Sequence, residues 1–286
     1  MSEKLTALID GDTLAFRIAS AVQHSIEWPS GYIEPFARRV EGEVALDNYI
    51  HRLQQRLKFT DMVIFLSCPT EENWRLGVDP SYKSNRKASV RPLLLSPLKE
   101  YLRVKYGANH LAYLEADDAI GIYATSETLV EGDRLVVGKD KDFYTIPGKH
   151  YQLNNDSLDG NPIVIEVSPM EAIKNHYVQA LAGDAVDGYP GCPGMGMKRA
   201  REIVENPDRL YPKEGVITRG KNKGEAVIKW HSAGPSSIWE AVVSRYEKAG
   251  LGEAEALVTG RLAKILHASD YDMETKEITL WVPGKE

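Results

Sequence analysis

The sequence predicts an α/β fold: a central, mostly parallel sheet with helices on both faces. Three observations predict it. Short apolar runs alternate with stretches of helical periodicity through the first half of the chain. Those runs are too short for helices and nearly continuous, as strands buried on both faces are. Acidic residues follow several of them, at the strand ends where such sheets collect ligands.

In chain order, residues 5–9 read as a short buried strand. Asp10-Gly11-Asp12-Thr13 then turns into a helical pattern over 14–22. Two acids two apart in extended chain point to the same side. Residues 27–42 read as an irregular connection. Residues 44–59 have helical periodicity, with His51, Arg52, Arg56 and Lys58 on the polar face, and 62–67 form a second strand. A polar, basic insertion covers 69–92. It interleaves Trp74, Arg75 and Tyr82 with Lys83, Arg86 and Lys87. Such a mixture suits a nucleic-acid strand through phosphate pairing and base stacking, and equally suits a solvated surface loop. Residues 93–106 read as a helix, 110–113 as a third strand, 116–129 as a helix and 135–137 as a fourth strand. Residues 151–153 and 163–167 are further strand candidates.

The second half changes character, which places a domain boundary between a 1–167 core and a 168–286 region. Residues 169–182 read as a helix. Tyr189-Pro190-Gly191-Cys192-Pro193-Gly194-Met195-Gly196 follows as a tight turn into a second helix that opens with Lys198, Arg199 and Arg201. Exposed N–H groups and a cationic helix start suit a phosphodiester backbone, although a plain glycine-rich connection has the same composition. Residues 215–230 read as a hairpin with the cationic tip Arg219-Gly220-Lys221-Asn222-Lys223-Gly224. Helices over 237–249 and 253–267 and a strand over 278–282 close the chain.

The 286 residues are 43% hydrophobic and 27% charged, ordinary for a soluble globular chain. Cys68 and Cys192 give neither a disulfide framework nor zinc spacing, which suits a reducing compartment. The chain has no secretory leader pattern, and its apolar runs fall far short of a membrane span. The net charge is −6. Nine carboxylates in four clusters carry −9 of that charge, so the rest of the chain is at +3, mildly basic.

Those clusters are the chemically informative feature. Leu114-Glu115-Ala116-Asp117-Asp118 packs three carboxylates into four residues between a strand-like and a helix-like run. Two like charges at ~4 Å repel by about 4 kcal/mol at an effective dielectric near 20. Bound protons or a divalent cation would offset this. Alone, the stretch is equally a solvated, acid-capped helix start. The pattern recurs, however, at Asp10 and Asp12, at Asp140 and Asp142, and at Asp184 and Asp187. Four clusters at the ends of four elements read as one site gathered from across the fold.

In order and spacing, these residues resemble the 5′-nuclease (flap endonuclease) superfamily, and within it the T7-type bacteriophage 5′→3′ exonucleases. The resemblance runs over nearly the whole chain. Its carriers are Ile9-Asp10-Gly11-Asp12, Asn73-Trp74-Arg75, Tyr82-Lys83-Ser84-Asn85-Arg86-Lys87, Glu115-Ala116-Asp117-Asp118, Lys139-Asp140-Lys141-Asp142-Phe143, Gly183-Asp184, Asp187-Gly188-Tyr189, and Gly191 with Gly194 and Gly196. Gly220-Lys221-Asn222-Lys223-Gly224, Lys229-Trp230 and Leu280-Trp281 are similar to the phage subgroup in particular.

The resemblance implies a PIN-like core with an arch over the site at 69–92 and a helix–hairpin–helix element at 183–205. By resemblance, Asp10, Glu115, Asp117, Asp118, Asp140, Asp142, Asp184 and Asp187 hold two Mg²⁺ or Mn²⁺ ions. Asp10 and Asp118 act in catalysis with Lys83 and Arg86, the arch-base cations at the scissile phosphate. DNA contacts fall to Arg75, Tyr82, Lys83, Arg86, Lys87, Gly191, Gly194, Gly196, Lys198 and Arg199, with a monovalent cation (K⁺) at the hairpin. The implied activity is metal-dependent 5′→3′ exonuclease and flap endonuclease cleavage of duplex or flapped DNA, and of the RNA strand of RNA–DNA hybrids. It would serve phage DNA replication, recombination and primer removal, as a monomer in the host cytoplasm. One departure stands out. The family has an acid just after the second strand, where this chain reads Leu66-Ser67-Cys68-Pro69-Thr70-Glu71-Glu72. Glu71 or Glu72 takes that place, or the site does without it.

Two rival readings remain open from the residues alone. Asp10-Gly11-Asp12-Thr13 after a strand is similar to an aspartyl-phosphate phosphatase, with one Asp as nucleophile and the other as general acid. The missing acid near Cys68 also suits a structure-specific DNA-binding protein that has lost catalysis.

Overall fold

The computed structural model describes residues 4–85, 91–153 and 161–284. The chain divides into two compact units, each discontinuous in sequence. The first comprises Met1–Trp74, Lys87–Glu171 and Ile265–Thr279, and the second Arg75–Arg86, Ala172–Lys264 and Leu280–Glu286.

The first unit is built on a five-stranded sheet. Its strands are β1 (Leu5–Asp10), β4 (Asp61–Phe65), β5 (Asp133–Gly138), β6 (Gly148–Gln152) and β7 (Val164–Val167), in the order β4-β1-β5-β6-β7. All neighbours run parallel except β6 and β7. Ile9 of β1 lies opposite Ile64 on one side and Val137 on the other. Side chains alternate across the sheet as strand geometry requires. Ala7, Ile9, Ile64, Leu135 and Val137 enter a core with α1 (Gly11–Ala21), α2 (Arg39–Leu57) and α3 (Leu95–Tyr106). Leu8, Phe65 and Val136 enter a second core with α4 (Ala116–Thr125). Full burial of one such aliphatic side chain stabilises by about 1.5–3 kcal/mol, so two filled faces hold the sheet between its helices.

Helix ends follow local chemistry. Asp10 caps α1, accepting from the N–H groups of Asp12 and Thr13. Lys58 ends α2 in the left-handed region at φ 56°, with its N–H on Gln54 O. Within α4, Gly121 lets the backbone of Leu266 approach, since a Cβ there would stand 2.3 Å from Leu266 O.

Three connections differ from the sequence reading. Residues 27–42 are not irregular: β2 (His24–Glu27) and β3 (Ile33–Phe36) pair as an exposed hairpin, and α2 starts at Arg39. Residues 110–113 do not form a strand. Tyr113 turns to φ 68°, and Asn109 alone pairs with the outer edge of β4, through Asn109 N to Ile64 O and Leu66 N to Asn109 O, both at 2.8 Å. Residues 278–282 contribute a single bridge, Ile278 with Tyr271.

In the second unit, α5 (Pro169–Ala182, with its body from Ala172), α6 (Met197–Glu205), α7 (Ile238–Lys248) and α8 (Glu253–Ala263) enclose Tyr177, Leu181, Val204, Val242, Tyr246 and Trp281. A long antiparallel ribbon, β8 (Asp208–Val216) and β9 (Ala226–Pro235), joins α6 to α7. Among the described residues, no helix is long and apolar enough to cross a membrane.

Candidate metal and nucleic-acid site

The C-terminal ends of β4, β1 and β5 lie side by side, because these strands are adjacent and parallel. This is the edge where parallel sheets bind ligands. Asp10 ends β1 and is 9% exposed. Its Oδ1 accepts from Asp12 N and Thr13 N, both at 3.0 Å, and the Thr13 hydroxyl donates to Oδ2. Burial, reinforced by the charge of Asp12, pushes its carboxyl up to about 6 despite these hydrogen bonds.

Asp12 is engaged differently. Its Oδ2 accepts from Ser67 N at 3.1 Å, and its Oδ1 lies 2.8 Å from Lys99 Nζ on α3. Ser67 also accepts, on Oγ, the N–H of Ala116 at 3.0 Å. One serine just past β4 thus ties the start of α1 to the start of α4. That tie brings Glu115, the cap of α4, and Asp117, in its first turn, to the same sheet edge. Asp140 and Asp142 arrive there after β5, with Asp142 N donating to Asp140 Oδ1 at 3.0 Å.

Asp118 departs from expectation. It is wholly buried, and its carboxylate accepts from Trp74 Nε1 at 2.9 Å, Leu266 N at 3.2 Å and Glu115 N at 3.4 Å. The third position of a helix with an acidic cap turns its side chain back to the cap, so Asp118 joins α4 to Trp74 and residue 266 rather than facing the open edge.

At the place of the missing acid stands Cys68, buried, its N–H on Leu114 O at 2.9 Å. Burial, and then the charges of Glu115, Glu72 and Asp118, push its thiol up to about 12. It is a neutral thiol beside carboxylates. Glu71 and Glu72 lie exposed on a single 3-10 turn, Thr70–Glu72. Among the described residues, no group of three or more His, Cys, Asp or Glu side chains is arranged to hold a metal ion. Asp10, Asp117 and Asp140 instead accept from nearby N–H groups.

In the second unit, Tyr82 and Lys83 pack on the loop after α5. Lys83 has φ 58°, held by its N–H on Asp187 O at 2.9 Å. Its Nζ lies 3.5 Å from Asp187 Oδ2 and 4.9 Å from the Tyr82 ring centroid. Tyr82 OH donates to the same carboxylate oxygen at 3.1 Å. Asp184 holds its own loop, accepting from Val186 N at 2.6 Å and Asp187 N at 3.3 Å.

Two residues expected on nucleic acid are interior instead. Arg75 is 2% exposed, with Nε on Leu262 O at 2.9 Å and Nη2 on Lys264 O at 2.7 Å. A guanidinium satisfies the carbonyls left open where α8 ends. Tyr82 is 4% exposed in a small core with Tyr189 and Leu262, so its face is not offered to a base. Arg86 and Lys87 lie outside the described residues.

The glycine turn connects α5 to α6. Gly183 and Gly191, at φ 68° and 66°, press together: a Cβ on Gly191 would stand 2.4 Å from Gly183 N. Gly194, Gly196, Lys198 and Arg199 are exposed, and α6 begins without a side-chain cap.

Sequence reasoning missed Ser67, Lys99 and the hydrogen-bonding role of Trp74. Only Trp74 left a signal, since an indole N–H that becomes half-buried needs an acceptor.

The family described as "5'-3' exonuclease, N-terminal resolvase-like domain" matches residues 5–179. The chain is 32% identical to the exodeoxyribonuclease of Enterobacteria phage T3 over 292 residues, and 32% identical to the exonuclease of Escherichia phage T7 over 294 residues. Each alignment covers 98% of this chain and 94% of the relative. The fold is similar to that of the T5 D15 protein co-crystallised with metal ions, with a TM-score of 0.56 at 14% identity over 92% of this chain and 90% of that one. Identity sustained from end to end says more than a shared sheet does: the chain belongs to the 5′-3′ exonuclease family, nucleases that hydrolyse phosphodiester bonds.

Proposed function

We propose that this chain is a divalent-metal-dependent 5′→3′ exodeoxyribonuclease and flap endonuclease that works from the 5′ end of duplex DNA. The observation that carries the reading is the set of acids at one sheet edge, Asp10 with Glu115 and Asp117 and with Asp140 and Asp142. All are hard oxygen donors, which suit Mg²⁺ or Mn²⁺ and not a thiophilic metal. The half-compensated burial of Asp10 is a second support, since a cation would supply the missing counter-charge.

These five acids would hold the metal, Asp10, Asp117 and Asp140 turning from the N–H groups they now face. Bound divalent cations supply a water of lowered pKa and offset charge on the departing oxygen. The chain's own residues do the rest. Thr13 and the start of α1 orient Asp10. Lys83, its backbone fixed by Asp187 and its ammonium set against Tyr82, supplies a cation for the substrate phosphate. The exposed, uncapped start of α6, with Gly194, Gly196, Lys198 and Arg199, takes duplex backbone as the second half of a helix–hairpin–helix, and K⁺ is the expected ion at that turn. Cleavage of RNA in RNA–DNA hybrids, a monomeric state and a place in the host cytoplasm belong to the same proposal.

The test is nucleotide release from a 5′-labelled linear duplex with and without Mg²⁺, beside a small phosphate ester. Release should require the metal. It should fall by orders of magnitude in Asp10→Asn and in Asp117→Asn while duplex affinity is kept. Metal-independent release, or hydrolysis of the ester in its place, would overturn the reading.

A further inference from the structure

We infer that the β8–β9 ribbon is a DNA-contacting arm whose lysine-bearing face takes the phosphodiester backbone of a duplex. The inference rests on the nuclease reading and goes beyond it, because the ribbon contributes no acid to the sheet edge and is no part of the glycine turn.

The argument begins with register. Tyr211 pairs with His231, Lys213 with Lys229 and Gly215 with Val227. Directly opposed residues share a face, and alternate pairs fall on the other one. The second face therefore carries Pro212 with Trp230, Glu214 with Ile228, and Val216 with Ala226. Over this paired stretch both lysines lie on one face and the single acid, Glu214, on the other. The ribbon is two-sided, cationic on one face and largely apolar on the other.

Lys213 and Lys229 stand directly opposite each other, an arrangement that destabilises a strand pair unless something offsets the repulsion. Both are exposed. The Lys229 stem lies over Gly215, its Cδ 3.5 Å from where a Cβ would be, so the missing side chain makes room for it on this face. At the root end of the same face, Tyr211 and His231 pair with ring centroids 5.9 Å apart, and Tyr211 is 42% exposed. At the other end, the turn adds Arg219, Lys221 and Lys223, all exposed, and closes through Gly224 N on Ile217 O at 2.9 Å.

Neither strand buries a core. A bare two-stranded ribbon is marginal by itself, and this one is held at its root. There Leu210 N donates to Ser244 Oγ at 3.0 Å, and the buried guanidinium of Arg245 pairs with Asp208. A nine-residue strand spans about 30 Å at ~3.3 Å per residue, close to one turn of duplex, and a two-stranded ribbon fits a major groove. Opposed, exposed cations on an arm of those dimensions match a row of phosphates.

The experiment measures equilibrium binding of a fluorescein-labelled blunt duplex by anisotropy in EDTA, across KCl concentrations. The proteins are the full chain, its Lys213→Ala/Lys229→Ala double variant, and Glu214→Gln from the opposite face. Each neutralised phosphate contributes ~0.9 to the slope of log affinity against log salt. The double variant should lose about 2 from that slope and bind severalfold more weakly at low salt, with its thermal melt no lower than the parent's. Glu214→Gln should keep the parent slope. A double variant with the parent's slope and affinity overturns the inference and leaves the lysines as guards against edge-to-edge strand pairing. The two readings fail differently. A parent protein that neither binds duplex nor releases nucleotides with Mg²⁺ sinks the nuclease reading. One that does both, indifferent to the lysines, sinks the arm alone.

Discussion

Asp10 is a carboxylate kept in an environment that disfavours its charge. Below pH 3.8 both folded and unfolded chains hold its proton, and the residue is neutral to stability. As pH rises toward 6, the unfolded chain releases the proton and the folded chain does not, so stability falls until the pH passes the folded value. Two units correspond to about 3 kcal/mol. Asp10→Asn keeps a good cap and removes the charge. In EDTA, urea denaturation should show the variant more stable than the parent by up to that amount at pH 8, and matched with it near pH 4, even as cleavage is lost. Asp118 behaves in the opposite sense. Its two oxygens accept from Trp74 Nε1 and Leu266 N, so Asp118→Asn turns an amide donor toward one of these N–H groups. A loss of about 2–4 kcal/mol in denaturant stability is expected, together with any loss of cleavage. An unchanged midpoint would return Asp118 to a purely catalytic part.

Among the elements, α2 and α3 are clamped by one acid. Asp47 accepts from Tyr101 OH at 2.9 Å, Lys105 Nζ at 2.6 Å and Tyr106 OH at 2.6 Å. Its burial acts to raise the carboxyl, but these three donors outweigh it and hold the group below 3.8. A lowered carboxyl stabilises the fold above the unfolded value and loses that contribution as pH falls through the folded one. Asp47→Asn should therefore lower the melting temperature at pH 7 and converge on the parent below pH 3.8. Elements with strong periodicity were legible from residues alone: the helix read over 169–182 forms as Pro169–Ala182. The stretch 110–113 misled because its short apolar run imitates a strand, while the left-handed turn at Tyr113 is a backbone property that no side-chain pattern reports. The hairpin of β2 and β3 was missed for a related reason. Ile33 and Phe36 are exposed there, so no buried face imposes a period.

Across the whole molecule, the acids were legible because carboxylates after buried strands are costly and therefore conspicuous. Directions were not legible. The cations and aromatics of the 69–92 insertion look alike in sequence, yet Arg75 and Tyr82 point inward because a helix end and a small core claim them. Ser67, which joins two helix starts, carries no mark in sequence at all. Metal should be felt globally. At a concentration 100 times its dissociation constant, a ligand of the native state alone adds about 2.7 kcal/mol. Mn²⁺ or Mg²⁺ should thus raise the melting temperature of the parent and leave Asp10→Asn unmoved. An equal rise in both would move the ions away from this edge.

The root of the ribbon carries a practical corollary. Arg219, Lys221 and Lys223 offer trypsin exposed cleavage points within one turn, while the flanking strands stay zipped by their ladder and pinned through Ser244 and Arg245. A brief digest should yield a nicked particle that migrates as one species in native gels and as two fragments once denatured. Duplex bound beforehand should slow that nick, a footprint read on the polypeptide itself.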